Sequence, residues 1–247
     1  MFKKILALVM ALLLASLALV ACKEDEPTFI DTPQDPNEGL VEDAPEVADS
    51  GAIGESALTW ELYSDGTLYI KGVGEMGELE RGEGGSVIQP WHKYLNNANS
   101  LTITSLVVEN GVTSIAAGAF GNCAKLQSAE IASSVSVLPE KCFKYCEALT
   151  SVRAKGVVQI MDNAFDSCTK LSTVTFSASL ELVGDGAFLR TGESAKSFSV
   201  RLAGTEEEWN TAKAKMEASA DDEFAIWTGN EKLIQGLQTV AFVDKEF

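Results

Sequence analysis

Four times between Val112 and Thr191 the same order of side chains returns. An apolar residue (Val112, Val135, Val157, Leu180) is followed three positions on by another (Ile115, Leu138, Ile160, Val183). A small residue and Phe come next (Ala119-Phe120, Cys142-Phe143, Ala164-Phe165, Ala187-Phe188), and three residues later Cys123, Cys146, Cys168 or Thr191. The phenylalanines lie 23, 22 and 23 residues apart. A period of this length constrains the fold more than any composition could. One copy cannot bury its own apolar edge and is stable only when stacked on the next, so the chain must build a solenoid of coils.

The register aligns Ile103, Leu106 and Val108 with Leu126, Ala129 and Ile131, then with Leu149, Val152 and Ala154, then with Leu171, Val174 and Phe176. A further set, Phe198, Val200 and Leu202, follows a small insertion after Thr191. Apolar–polar alternation is the period of a strand with one buried face. A unit of about 20 to 29 residues with Leu opening each strand is the pattern of a leucine-rich repeat. The predicted fold is an α/β repeat, mostly β: a short leucine-rich-repeat solenoid of four to five coils over residues 101–202, with a parallel sheet. Outward positions are Ser105, Val107 and Glu109; Ser128 and Glu130; Ser151, Arg153 and Lys155; Thr173 and Thr175; Ser199 and Arg201. Each Phe then stacks on the next, Cys123, Cys146 and Cys168 share one buried column as free thiols, and the one-residue shortening falls at Lys155-Gly156.

A stack needs closed ends. Leu58, Trp60 and Leu62, an Asp65-Gly66 turn, and Leu68 and Ile70 predict a β-hairpin. With the Gly- and Glu-rich Gly72–Gly85 segment and Pro90-Trp91, it forms an N-terminal β cap over residues 56–100. After the solenoid, Thr205 and Glu208 make a capping box for a helix whose Trp209, Ala212 and Met216 share one face. Ala225-Ile226-Trp227, a Gly229-Asn230 turn and the Val240–Val243 run predict a closing β element, so residues 203–247 form an α+β C-terminal cap.

Residues 1–21 place Lys3 and Lys4 before an apolar run too short for a membrane span, which is a secretory leader. Leu19-Val20-Ala21-Cys22 resembles a bacterial lipobox, which makes Cys22 the lipidated mature N-terminus. The Lys-Glu-Asp-Glu that follows resembles the export signal of lipoproteins on the outer face of the outer membrane, although a plain solvated charge run has the same composition. Removing Lys3 and Lys4 with the leader takes the net charge from −17 to −19. So acidic a chain lacks the positive surface that nucleic acid requires. From Lys23 to Asp49 there are ten carboxylates, one Lys and four prolines, so residues 22–55 are expected to form a disordered acidic stalk.

The repeat GVTSIAAGAFGNCAKL from Gly111, the preceding TWELYSDGTLYIKGVGEMG and the trailing AGTEEEWN from Ala203 together resemble the BspA-like leucine-rich-repeat family of bacterial surface proteins over about residues 56 to 245. That resemblance implies a right-handed solenoid, exposed at the cell surface and adhesive to host matrix proteins or to other bacteria. The chain departs from the family pattern at Cys142, where Ala is usual, and at Thr191, where Cys is usual.

Chemistry is sparse. Gly72–Gly77 reads GxGxxG, but Glu78, Glu80 and Glu83 follow with no helical periodicity, so no phosphate or cofactor cradle is expected. The lone His92 has no evident nucleophilic partner. Cys142 and Cys146 are spaced CxxxC, yet the repeat accounts for both as core residues, and no metal site is expected. The remaining candidate is the outward strand face, hydroxyl-rich and without exposed aromatics, where Glu130, Arg153, Lys155 and Arg201 are the ligand-face residues. Its plain alternative is a soluble sheet surface with Ser and Thr chosen for β-propensity. The expected protein is a non-catalytic surface module that binds a host or bacterial protein. An accessory subunit of an outer-membrane, glycan-handling assembly is the rival reading.

Overall fold

The computed structural model of the chain describes residues 44–95, 101–219, 230–237 and 240–244. The leader, Cys22, most of the stalk and the Ala225–Trp227 segment lie outside the described residues. Among the described residues, nine strands form one sheet in this order: β1 (Val47–Ala52), β2 (Leu58–Tyr63), β3 (Thr67–Gly72), β4 (Ser105–Val108), β5 (Ser128–Ile131), β6 (Ser151–Arg153), β7 (Thr173–Ser177), β8 (Ser199–Ala203) and β9 (Ala241–Val243). The first three pair antiparallel, and from β3 onward every pairing is parallel. Side chains that alternate with the core residues form in-register rows on the outer face. One row runs Thr67, Ser105, Ser128, Ser151, Thr173, Ser199, and the next runs Tyr69, Val107, Glu130, Arg153, Thr175, Arg201.

Each coil has two further sides. Val137–Leu138, Gln159–Ile160 and Leu182–Val183 form a narrow parallel sheet. A ridge of turns then returns the chain to the main sheet. Each ridge turn holds two residues in the left-handed region: Gly118, Lys141, Asn163 and Gly186 in one column, Asn122, Tyr145, Ser167 and Arg190 in the other. The ridge N–H groups donate toward the next coil, as Phe120 N to Cys142 O (3.0 Å), Phe143 N to Ala164 O (2.7 Å) and Phe165 N to Ala187 O (2.7 Å). Ridge carbonyls therefore accept from the preceding coil, and the stack has a polarity.

The core follows from the repeat. Phe120, Phe143, Phe165 and Phe188 stack at centroid distances of 5.6, 5.4 and 5.0 Å, and Trp91 of the N-terminal cap adds one more ring at 5.6 Å from Phe120. Beside the rings runs a hydrogen-bonded column. Cys146 Sγ donates to Phe120 O (3.1 Å), Cys168 Sγ to Phe143 O (3.1 Å) and Thr191 Oγ1 to Phe165 O (2.8 Å). A thiol or hydroxyl thus serves the same carbonyl one coil back, which explains why Thr191 substitutes for Cys. The four cysteines among the described residues are free and buried.

Polarity leaves the first ridge with no preceding coil to donate to it and the last with no following coil to accept from it, and a side-chain amide bonds at each end. Gln89 Nε2 donates to Gly118 O and Gly121 O, both at 3.2 Å. At the other end Asn230 Oδ1 accepts from Phe188 N (2.9 Å) while its Nδ2 donates to Gly184 O (3.1 Å), taking the place of a missing coil. Beyond β8, Thr205 and Glu208 exchange hydrogen bonds of 2.9 and 3.2 Å as a capping box. They open α1 (Glu206–Ser219), which buries Trp209, Ala212 and Met216.

Three features differ from the sequence reading. The acidic stalk was expected through residue 55, yet β1 adds to the sheet edge within it. Gly51 lets that strand approach the Trp60 indole, and Asp49 accepts from Tyr94 Oη (2.8 Å) and pairs with Lys93 (2.7 Å), so the carboxylate is anchored. Asn230, expected in a turn, immediately precedes a short helix, α2 (Glu231–Leu237), ahead of β9. Thr175, expected outward, keeps its register between Arg153 and Arg201 but is buried.

Candidate functional site

The outer face of the sheet carries the expected ligand-face residues. Glu130 and Arg153 face each other across β5 and β6, with Arg153 Nε 3.7 Å from Glu130 Oε1 and about half of each side chain exposed. Arg201 is exposed and lies two strands beyond Arg153 in the same row, roughly 9.5 Å along the sheet at the usual strand spacing. Lys155 follows the end of β6 and is half-buried. The row therefore joins Glu130, Arg153 and Arg201 on one surface, with Lys155 at its margin. The hydroxyl row beside it is hydrogen-bonded where Ser105 Oγ and Ser128 Oγ meet at 3.1 Å.

The face also extends over the N-terminal hairpin, where sequence reasoning placed no aromatic residues. Tyr63 and Tyr69 contact edge-on at 5.1 Å, and the Lys71 ammonium lies 5.6 and 5.0 Å from their ring centres. Lys71 pairs with Glu61 at 2.7 Å, and that contact raises the Lys71 pKa and lowers the Glu61 pKa. The alternation of β2 and β3 could have revealed this extension, since Tyr63 and Tyr69 occupy the same parity as Glu61 and Thr67.

Other candidates resolve into structure. Gly72 ends β3, and Gly74–Glu75 pairs in parallel with Val112–Ser114, so the GxGxxG segment opens no helix and offers no phosphate cradle. His92 sits exposed in a short turn with Nδ1 3.0 Å from Gln89 O. Burial pushes the Cys142 and Cys146 thiols up, away from thiolate chemistry. Among the described residues, no three or more His, Cys, Asp or Glu side chains gather as a metal site.

One charged cluster gave no signal in the sequence. Asp166, only 1 % exposed, accepts two bonds from Arg190 Nη2 (2.9 and 3.1 Å), pairs with Lys144 at 2.8 Å and accepts from Ser167 Oγ at 2.9 Å. Burial raises its pKa, but the bonds from Lys144, Ser167 and Arg190 outweigh that and hold the carboxyl below the usual range. The cluster ties three successive ridge turns together.

Stacked coils, a parallel sheet and a Phe-bearing turn in every repeat define a leucine-rich-repeat protein. Residues 96–202 match the BspA type leucine rich repeat region in six copies. The Phe spacing, which registers only coils with a complete turn, counts four to five. Among solved structures, the chain is similar to a leucine rich cell surface protein from Faecalibacterium prausnitzii A2-165, at 26% identity over 62% of this chain and 40% of that one, with a TM-score of 0.41. It is also similar to a leucine-rich repeat protein from Eubacterium ventriosum ATCC 27560, at 18% identity over 65% of this chain and 45% of that one, with a TM-score of 0.45. The chain spans less than half the length of either. No curated protein matches the chain.

Proposed function

We propose that this chain is a lipid-anchored module of the outer-membrane surface that binds a protein or another envelope component through the outer face of its sheet, with no chemical step of its own. The observation that carries the reading is the Arg153–Thr175–Arg201 row, in which two exposed guanidinium groups stand in register on a flat face of a strongly acidic chain. Solenoid core residues are committed to stacking, so this face is free to vary for a ligand. Arginine is favoured at interface hot spots, and local positive charge steers an acidic partner. Cys22, in the lipobox-like sequence, supplies the anchor. An accessory role in a glycan-handling assembly is the second reading, favoured by the Tyr63–Tyr69 pair at one end of the same face.

The double substitution Arg153→Ser and Arg201→Ser tests the first reading in a pull-down from intact cells. Melting temperature should hardly move, because exposed ion pairs contribute about 0 to 1 kcal/mol, while partner recovery should fall sharply. Undiminished recovery by a folded double variant would rule out the row as the binding surface.

A further inference from the structure

A groove of about 310 Å³ opens on the turn ridge, between the N-terminal cap and the first two coils, well apart in the coil from the outer sheet face. Its floor and rim include Arg81, Gln89, Asn122, Lys141, Lys144 and Tyr145. We propose that this groove binds an acidic sugar residue of a glycan, with Tyr145 as the stacking platform and Arg81 meeting its negative charge.

The first support is backbone conformation. Each of the other three coils places Gly or Asn in at least one of its two left-handed positions: Gly118 and Asn122, Asn163 beside Ser167, and Gly186 beside Arg190. Gly and Asn are the residues that tolerate this conformation, and a bulky side chain there is an outlier. In the second coil both positions break the rule together, with Lys141 at φ 59° and Tyr145 at φ 63°. Both line the same groove. Strained residues that converge on one cavity point to a role for their side chains.

Chemistry sets the ligand class. Tyr145 is 40 % exposed, with the Lys144 ammonium 5.1 Å from its ring centre, and an aromatic ring next to amide and hydroxyl groups suits the apolar face and the hydroxyls of a sugar ring. Asn122 and Ser86 supply such groups along the groove. Three cations line it against the single carboxylate of Glu140, in a chain of net charge −17. Lys144 is committed to Asp166 and Lys141 meets Glu140, whereas Arg81 donates to Gly85 O (3.3 Å) and has no acid within ion-pair distance among the described residues. The groove volume lies at the lower end of small-ligand sites, which are about 300 to 1,000 Å³, and fits one or two sugar units rather than a folded partner.

This site is independent of the sheet-face reading, and the test separates them. The full chain would be titrated calorimetrically with uronate oligosaccharides, sulfated oligosaccharides, their neutral counterparts and an acidic peptide. Acidic oligosaccharides should bind at least tenfold tighter than neutral ones and weaken as salt rises; whether carboxylate or sulfate is the better ligand identifies the source of the charge. Tyr145→Asn, which places the residue of the preceding coil on the same backbone, and Arg81→Gln should each weaken binding about tenfold or more. The melting temperature of Tyr145→Asn should be unchanged or raised, and Arg153→Ser with Arg201→Ser should leave the sugar titration intact. Absence of binding, equal binding of neutral sugars, preference for the acidic peptide, or insensitivity to both groove variants would each overturn the proposal.

Discussion

At Gly156 a Cβ would lie 2.1 Å from the Ser133 carbonyl oxygen and 2.7 Å from two further backbone atoms of Ser133. This is the position where the repeat is one residue shorter, so the coils close tightly there. Gly156→Ala must push backbone against backbone, and overpacking of that kind costs about 1 to 3 kcal/mol. Urea titration should show a lower midpoint at unchanged slope. Asp166 sets a second expectation. Its folded pKa lies below the ordinary aspartate value, so its contribution is present above that value and is lost as the pH falls through the lower folded one. Asp166→Asn should destabilise the protein at neutral pH by about 1.5 to 3 kcal/mol, the worth of hydrogen bonds to a charged group, and should flatten the fall in melting temperature below about pH 4. An unchanged acid profile would remove Asp166 from the account. Phe and Cys positions were legible in the sequence because four coils repeat them. Asp166, Lys144 and Arg190 were not, because each occupies its ridge position once and repetition carries no trace of them.

Elements that repeat, alternate or begin with a capping box could be read from the chain: the hairpin, the five repeat strands and α1. β1 could not, because Val-Ala-Asp-Ser-Gly-Ala has no apolar alternation. It holds through main-chain pairing to β2 and through Asp49, which Lys93 and Tyr94 keep ionised by lowering its pKa. α2 has only seven residues and offers too short a window for periodicity. The ends of the stack also test whether its hydrogen-bond polarity matters. Gln89 faces acceptors and must donate, whereas Asn230 answers the Phe188 N–H and must accept. Gln89→Glu removes both donated bonds and sets carboxylate against carbonyl oxygens. Asn230→Asp keeps the acceptor for Phe188 and, when protonated, can still donate to Gly184 O. Each lost bond at a buried site costs about 1 to 3 kcal/mol, so Gln89→Glu should be the more destabilising of the two in thermal unfolding at pH 5. Equal losses, or the reverse order, would mean the caps act by shape alone.

On the scale of the whole molecule, nine carboxylates from Glu24 to Glu46 precede β1, and the N-terminal hairpin follows it. A segment with that charge density repels itself and anionic lipid headgroups, so it has no membrane affinity of its own. None of the helices among the described residues is long and apolar enough to cross a membrane. Attachment in the proposed reading therefore depends on acylation at Cys22. A single acyl chain gives only reversible binding, whereas two or more give a stable anchor at about 0.8 kcal/mol per buried CH₂. Cys22→Ala removes the thiol that the modification needs and leaves every residue of the solenoid untouched. In fractionated cells that variant should move from the membrane pellet to the soluble fraction, and intact-mass measurement should show no acyl addition. Its melting temperature should match that of the parent domain, because β1 and the coils fold downstream of the anchor. A variant that stays in the pellet and still carries acyl mass would show that Cys22 is not the attachment point, and one that unfolds would show that the segment before Ala44 supports the stack.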